Sequence, residues 1–193
     1  MEQMGHGLLA VSALDGRYRS RVDELAMSLS EAGLIKARVK VEAAWLLHLA
    51  EHPVIGKDIN LSEGSKSVLK KLYKGIDMQA AEQVKNYEKT TNHDVKAVEY
   101  YMRDAMREAG ASDRELAFIH FACTSEDINN LAYSLMLREA RDESILKSMD
   151  EIITNLSQKA AEHKALAMLS RTHGQTASPA TLGKELAVFA HRL

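Results

Sequence analysis

An all-α fold follows from three features of this 193-residue chain. Proline occurs only 2 times and aromatic residues make up 5% of the sequence, which disfavours the aromatic-rich strands and proline-rich turns of an all-β sandwich. Apolar residues recur at spacings of three and four, and no segment shows the strict alternation of a half-buried strand. From Thr124 onward, neither glycine nor proline interrupts the chain until Gly174.

The elements follow in order. Residues 1–15 carry no period and read as an arm leading into Asp15-Gly16-Arg17-Tyr18. A first helix is expected from there to Gly33, which suits a left-handed stop. Residues 34–51 form a second, with Val41, Trp45, Leu46 and Leu49 on one face and Pro53 beyond its end. A basic helix spans 62–74 and closes at Gly75, and another runs from Asp77 to about Lys89. Thr91 or Asn92 can cap a helix to Gly110, with Val95, Val98, Tyr101, Met102 and Ala105 on its inner stripe.

Thr124-Ser125-Glu126-Asp127 resembles a capping box, with Asp127 in place of the usual Glu or Gln. The helix it opens is expected to reach about His163. Ile145, Met149, Ile152 and Leu156 repeat along it in alternating steps of four and three, the seam of a long bundle helix. Such a length exceeds what one small core covers and calls for partner helices. Ser178-Pro179 reads as a last helix start, with Ser178 as cap. That helix ends at Leu193 without a stop signal, so the chain is expected to be part of something longer.

Composition narrows the function. With 46% hydrophobic and 27% charged residues the chain is globular rather than disordered. A net charge of −2 lacks the basic footprint of a nucleic-acid binder, but leaves room for a small anion at a local site. No apolar run reaches the ~18 residues of a membrane helix, and the first residues do not read as a signal peptide. A single Cys123 forms no internal disulfide and suits a reducing compartment, so a cytoplasmic location is expected. No Cys/His spacing suits zinc.

Three polar clusters stand at expected helix starts: residues 90–94, 123–127 and 170–176. Helix starts expose unpaired N–H groups and the positive end of the dipole, which suits phosphates and carboxylates. Simple capping would also account for Thr124 and Ser125, and a structural or surface role would account for His93 and His173. Gly174 beside His173 permits close approach of backbone and ligand to an acid–base side chain.

Four segments carry a family resemblance: residues 10–18 (through Asp15-Gly16-Arg17-Tyr18), 91–100 (opening Thr91-Asn92-His93-Asp94), 121–130 (around Thr124-Ser125-Glu126-Asp127) and Ser170-Arg171-Thr172-His173-Gly174-Gln175. Together, in this order, they closely resemble the adenylosuccinate lyase family of the aspartase/fumarase superfamily. The resemblance implies β-elimination of fumarate from adenylosuccinate, giving AMP, and from the succinylated aminoimidazole carboxamide ribotide of purine synthesis. It implies His173 as general acid and His93 as a second active-site histidine that orients substrate. It implies Arg17 and Tyr18 as phosphate contacts. It implies Asn92, Asp94, Thr124 and Ser125 as further substrate contacts, with Thr172 supporting the same region.

Neither metal nor organic cofactor is implied. The resemblance implies an N-terminal helical domain over 1–115 and the start of a central long-helix bundle over 116–193. It also implies a homotetramer whose sites draw on three subunits. The family's serine base lies on a loop expected beyond position 193, so the 193 residues alone are expected to be inactive. The alternative is a non-catalytic helical assembly or nucleotide-binding module.

Overall fold

A computed structural model describes residues 7–193. The mainly helical expectation holds, with one addition, a two-stranded hairpin near the end. The described residues divide into two compact units, one ending at Ala140 and the other spanning Arg141–Leu193.

In the first unit, two 3₁₀ turns (Ala13–Asp15 and Arg19–Arg21) precede α1 (Asp23–Leu29), α2 (Glu31–Glu51), α3 (Ile55–Ile59), α4 (Glu63–Lys74), α5 (Met78–Thr91), α6 (Asp94–Glu108), α7 (Asp113–Ala117) and α8 (Ser125–Ala140). Helix α2 is the hub and packs against α1, α3, α4, α5, α6 and α8. It is buried nearly all round, as a helix enclosed by its neighbours must be. Its Ile35, Val39, Ala43, Leu46 and Leu49 enter the main core with Leu69, Leu72, Val84, Val98, Met102 and Met106. On its other side Val41 packs with Val95 and Ile128, and Ala37 with Ala132 and Met136.

The single helix expected from Tyr18 to Gly33 is broken. The Asp15 carboxylate accepts the N–H groups of Val11 and Ser12 and pairs with Arg19 at 2.9 Å, so side-chain bonds to the backbone hold turns where a helix was expected. Ser30 then starts α2, its hydroxyl accepting from Gly33 N–H at 3.3 Å. Gly33 therefore lies in a first turn and stops nothing. A Cβ there would meet Ser28 O at 2.6 Å, so the lack of a side chain is what lets α1 close on α2. The other starts follow the sequence closely: Ser62 caps α4, Asp77 caps α5, and Gly75 (φ 136°) follows α4. The cap of α6 is His93, neither Thr91 nor Asn92.

The second unit holds a π-helical turn (Arg141–Ile145), α9 (Leu146–Glu162), β1 (Ala167–Thr172), β2 (Gln175–Thr181) and α10 (Leu182–Arg192). The single helix expected from Thr124 to about His163 is assigned as three segments, α8 in the first unit and the π turn and α9 in the second. On the anticipated seam, Ile145 and Ile152 are exposed. Helix α10 packs against α9.

The strands pair antiparallel, Thr172 opposite Gln175 and Met168 opposite Ala180, with an irregularity between Leu169 and Arg171. The helix start at Ser178-Pro179 is corrected by this pairing: Pro179 faces Leu169 inside β2, and the cap is Thr181, accepting from Lys184 N–H at 3.1 Å. Proline's fixed φ suits an edge strand as well as a first helical turn, which is why the motif misleads.

Candidate active-site surface

In the first unit the candidate residues lie at the starts of α6 and α8, which α2 brings side by side. Val95, one residue after Asp94, packs with Ile128, three residues after Ser125, over Val41. Arg38 of α2 ties the two polar ends together. Its Nη2 donates to Asp94 Oδ2 at 2.5 Å and its Nε to Asn129 Oδ1 at 2.9 Å. Burial of Asp94 would raise its carboxyl, but the Val95 N–H and the Arg38 guanidinium outweigh it and hold it below the usual range.

His93 is the α6 cap, its Nδ1 accepting from Lys96 N–H at 3.2 Å. Asn92 before it adopts φ 50° and ends α5. The cap and the candidate ligand are thus the same residue.

At α8 the capping box is half formed. Asp127 Oδ2 accepts Thr124 N–H at 2.8 Å, while no hydrogen bond from a helix N–H to the Thr124 hydroxyl is found among the described residues. The segment before it is held to α2 by two bonds. His120 Nδ1 lies 2.6 Å from Glu42 Oε1, and Trp45 Nε1 donates to the Phe121 carbonyl at 2.8 Å. Arg38, Glu42 and Trp45 are spaced four and three apart, one stripe of α2 facing the polar ends. Sequence reading passed over Arg38, Glu42, His120 and Asn129. The available signal was a pair of opposite charges four apart within an apolar helix.

Arg17 and Tyr18 are exposed between the two 3₁₀ turns, the guanidinium carbon 5.6 Å from the Tyr18 ring centre. An open groove of about 800 Å³ runs along α2 and α8, lined by Lys40, Trp45, Tyr73, Cys123, Leu131 and Arg138. Asn92, His93, Asp94, Thr124 and Ser125 are not among its lining residues.

The third cluster, residues 170–176, is a hairpin and not a helix start. Thr172 ends β1, and His173 (φ 50°) with Gly174 (φ 74°) form the two-residue turn into Gln175. Two successive positive φ values mark the turn type that matches strand twist. His173 is exposed in the turn of this hairpin. Among the described residues no group of three or more His, Cys, Asp or Glu converges to hold a metal ion, and no helix is long and apolar enough to cross a membrane.

Comparison with known proteins decides the family: a model of the lyase family matches residues 16–193. The chain belongs to the lyase family. It is 44% identical to adenylosuccinate lyase of Escherichia coli (strain K12) over 186 residues, covering 96% of this chain and 41% of that protein. The Haemophilus influenzae adenylosuccinate lyase is 45% identical over 186 residues, with the same coverage. The chain therefore spans about two-fifths of the length of these curated relatives (41%).

Among solved structures the lyase fold recurs at low identity. A β-carboxy-cis,cis-muconate cycloisomerase from Acinetobacter calcoaceticus matches with a TM-score of 0.64 at 20% identity, over 88% of this chain and 37% of that one. A fumarate lyase from Mesorhizobium sp. BNC1 matches with 0.64 at 19%, again over 88% and 37%. At such identities the likeness is one of fold.

Proposed function

We propose that this lyase-family chain supplies the acid and much of the substrate-binding surface for β-elimination of fumarate from adenylosuccinate, and for the matching cleavage of the succinylated aminoimidazole carboxamide ribotide. The observation that carries the reading is the identity of 40–45% to proteins named adenylosuccinate lyase along 96–97% of the chain.

In the reaction a base takes a proton from the succinyl Cβ. The electron pair delocalises into the neighbouring carboxylate and then expels the purine-linked nitrogen, breaking the C–N bond and leaving fumarate. His173, exposed on a turn, protonates that nitrogen, a role that imidazole fills near neutral pH. The Thr124 and Ser125 hydroxyls, at the positive end of α8, hold a succinyl carboxylate and favour the charge that develops there. His93 orients the substrate, Asn92 and Asp94 flank it, and Thr172 supports His173. Arg17 and Tyr18 take the nucleotide phosphate, for which a guanidinium fork is well suited.

The base comes from outside these 193 residues, so the 193 residues alone give no turnover. The exposed Ile145 and Ile152 are covered by other copies in a homotetramer, and the protein works in the cytoplasm. Expression from the complete reading frame, followed by assay of fumarate release, tests the reading. Release from adenylosuccinate, with a KM raised by Arg17→Ala, is expected. No release from adenylosuccinate alongside turnover of a different succinyl or fumaryl compound would overturn it.

A further inference from the structure

Glu42 is 1% exposed, yet only one of its carboxylate oxygens is partnered. Oε1 meets His120 Nδ1 at 2.6 Å, and Oε2 is buried without a hydrogen-bond partner among the described residues. A buried acid so poorly satisfied is a costly choice at a position in mid-α2 where leucine would fill the same space. Burial pushes its carboxyl up, and the nearby Glu99 adds to this against the opposing pull of His120. Glu99 itself pairs with Lys96 at 2.8 Å. The cost is matched by strain in what Glu42 holds. His120 (φ 61°) and Ala122 (φ 59°) both lie in the left-handed region, two non-glycine residues within three positions. Such a backbone persists only where its surroundings enforce it, and here they are Glu42 on His120 and Trp45 on Phe121.

We propose that Glu42 is a positioning residue: through a proton shared with His120 it holds the strained segment 120–123, and so fixes where Thr124 and Ser125 present their hydroxyls at the start of α8. This rests on the substrate-holding role proposed above for Thr124 and Ser125. Glu42 lies one turn beyond Arg38 in α2, so the same face of that helix holds the α6 start through Asp94 and the segment before α8 through His120.

The test uses the protein expressed from its complete reading frame, with Glu42→Leu and Glu42→Gln. Leucine removes the unsatisfied carboxylate, so the thermal midpoint is expected to hold or rise. Fumarate release should nonetheless fall by about tenfold to a hundredfold in kcat/KM, the scale of a misplaced contact. Glutamine, which still accepts from His120 Nδ1–H, should restore most of it. A role in folding alone would lower stability and activity together. A stable Glu42→Leu protein with unchanged kcat/KM would overturn the proposal.

If Glu42→Leu does not fold, the unmodified protein decides. The proton between Glu42 and His120 should give an exchange-protected, low-field NMR signal that moves in Glu42→Gln, and its absence would contradict the pair. If the unmodified protein releases no fumarate, the functional reading fails separately. The amide signals of Thr124 and Ser125 then decide: shifts in Glu42→Leu uphold the positioning, and unmoved signals overturn it.

Discussion

Arg38 Nη2 lies 2.5 Å from Asp94 Oδ2, joining the middle of α2 to the first residue of α6 across 56 positions of sequence. The Arg38 side chain is only 7% exposed, whereas that of Asp94 is 46% exposed, so a buried guanidinium reaches out to a carboxylate at the surface. Arg38 also donates to Asn129, and removing it frees two helix starts at once. We expect Arg38→Leu to lower the stability of the first unit by about 1–2 kcal/mol, less than a fully buried pair because Asp94 keeps some water. Urea unfolding measures it. The Asp94 carboxyl should titrate higher in the variant, since the opposing charge is gone.

Glu115 gives a pH dependence of its own. Burial would raise its carboxyl, but N–H donation from Ser62 and Ser112 and the hydroxyls of Ser65 and Ser112 hold it down to about 2, from an ordinary 4.5. The folded value lies below the unfolded one, so the stabilisation is complete above about 4.5 and vanishes as pH falls towards 2. On the order of 3 kcal/mol is involved. In Glu115→Gln the acid-induced loss of stability between pH 5 and about 2 should be shallower than in the unmodified protein, as chemical unfolding across pH would register.

The cap of α10 separates two readings of the same sequence. Thr181 accepts Lys184 N–H, whereas Ser178 lies in β2. Thr181→Ala should cost about 1 kcal/mol and Ser178→Ala close to nothing. Thermal unfolding of the two variants, compared side by side, would expose an error if Ser178→Ala were the more damaging.

What was legible in the sequence was what repeats or caps. Ser62, Asp77 and the Ile145–Leu156 spacing pointed to α4, α5 and α9 because capping and periodicity are local. The hairpin was missed because its strands, largely exposed on both faces, show no alternation, and its only strong signal was His173-Gly174. The motifs named Asn92, His93, Asp94, Thr124 and Ser125, but not what holds them. Arg38 and Glu42 act on residues 56 and 78 positions away, and such pairings are invisible until the fold closes.

His173 carries the proposed reaction most directly. Its φ of 50° is one that asparagine tolerates better than most residues, so His173→Asn removes the imidazole while keeping the turn. In the protein expressed from its complete reading frame, we expect fumarate release from adenylosuccinate to fall by about 10²–10⁴-fold in kcat, with KM little changed, as loss of a general acid requires. A His173→Asn protein that keeps its fold and turns over at the unmodified rate would contradict the account.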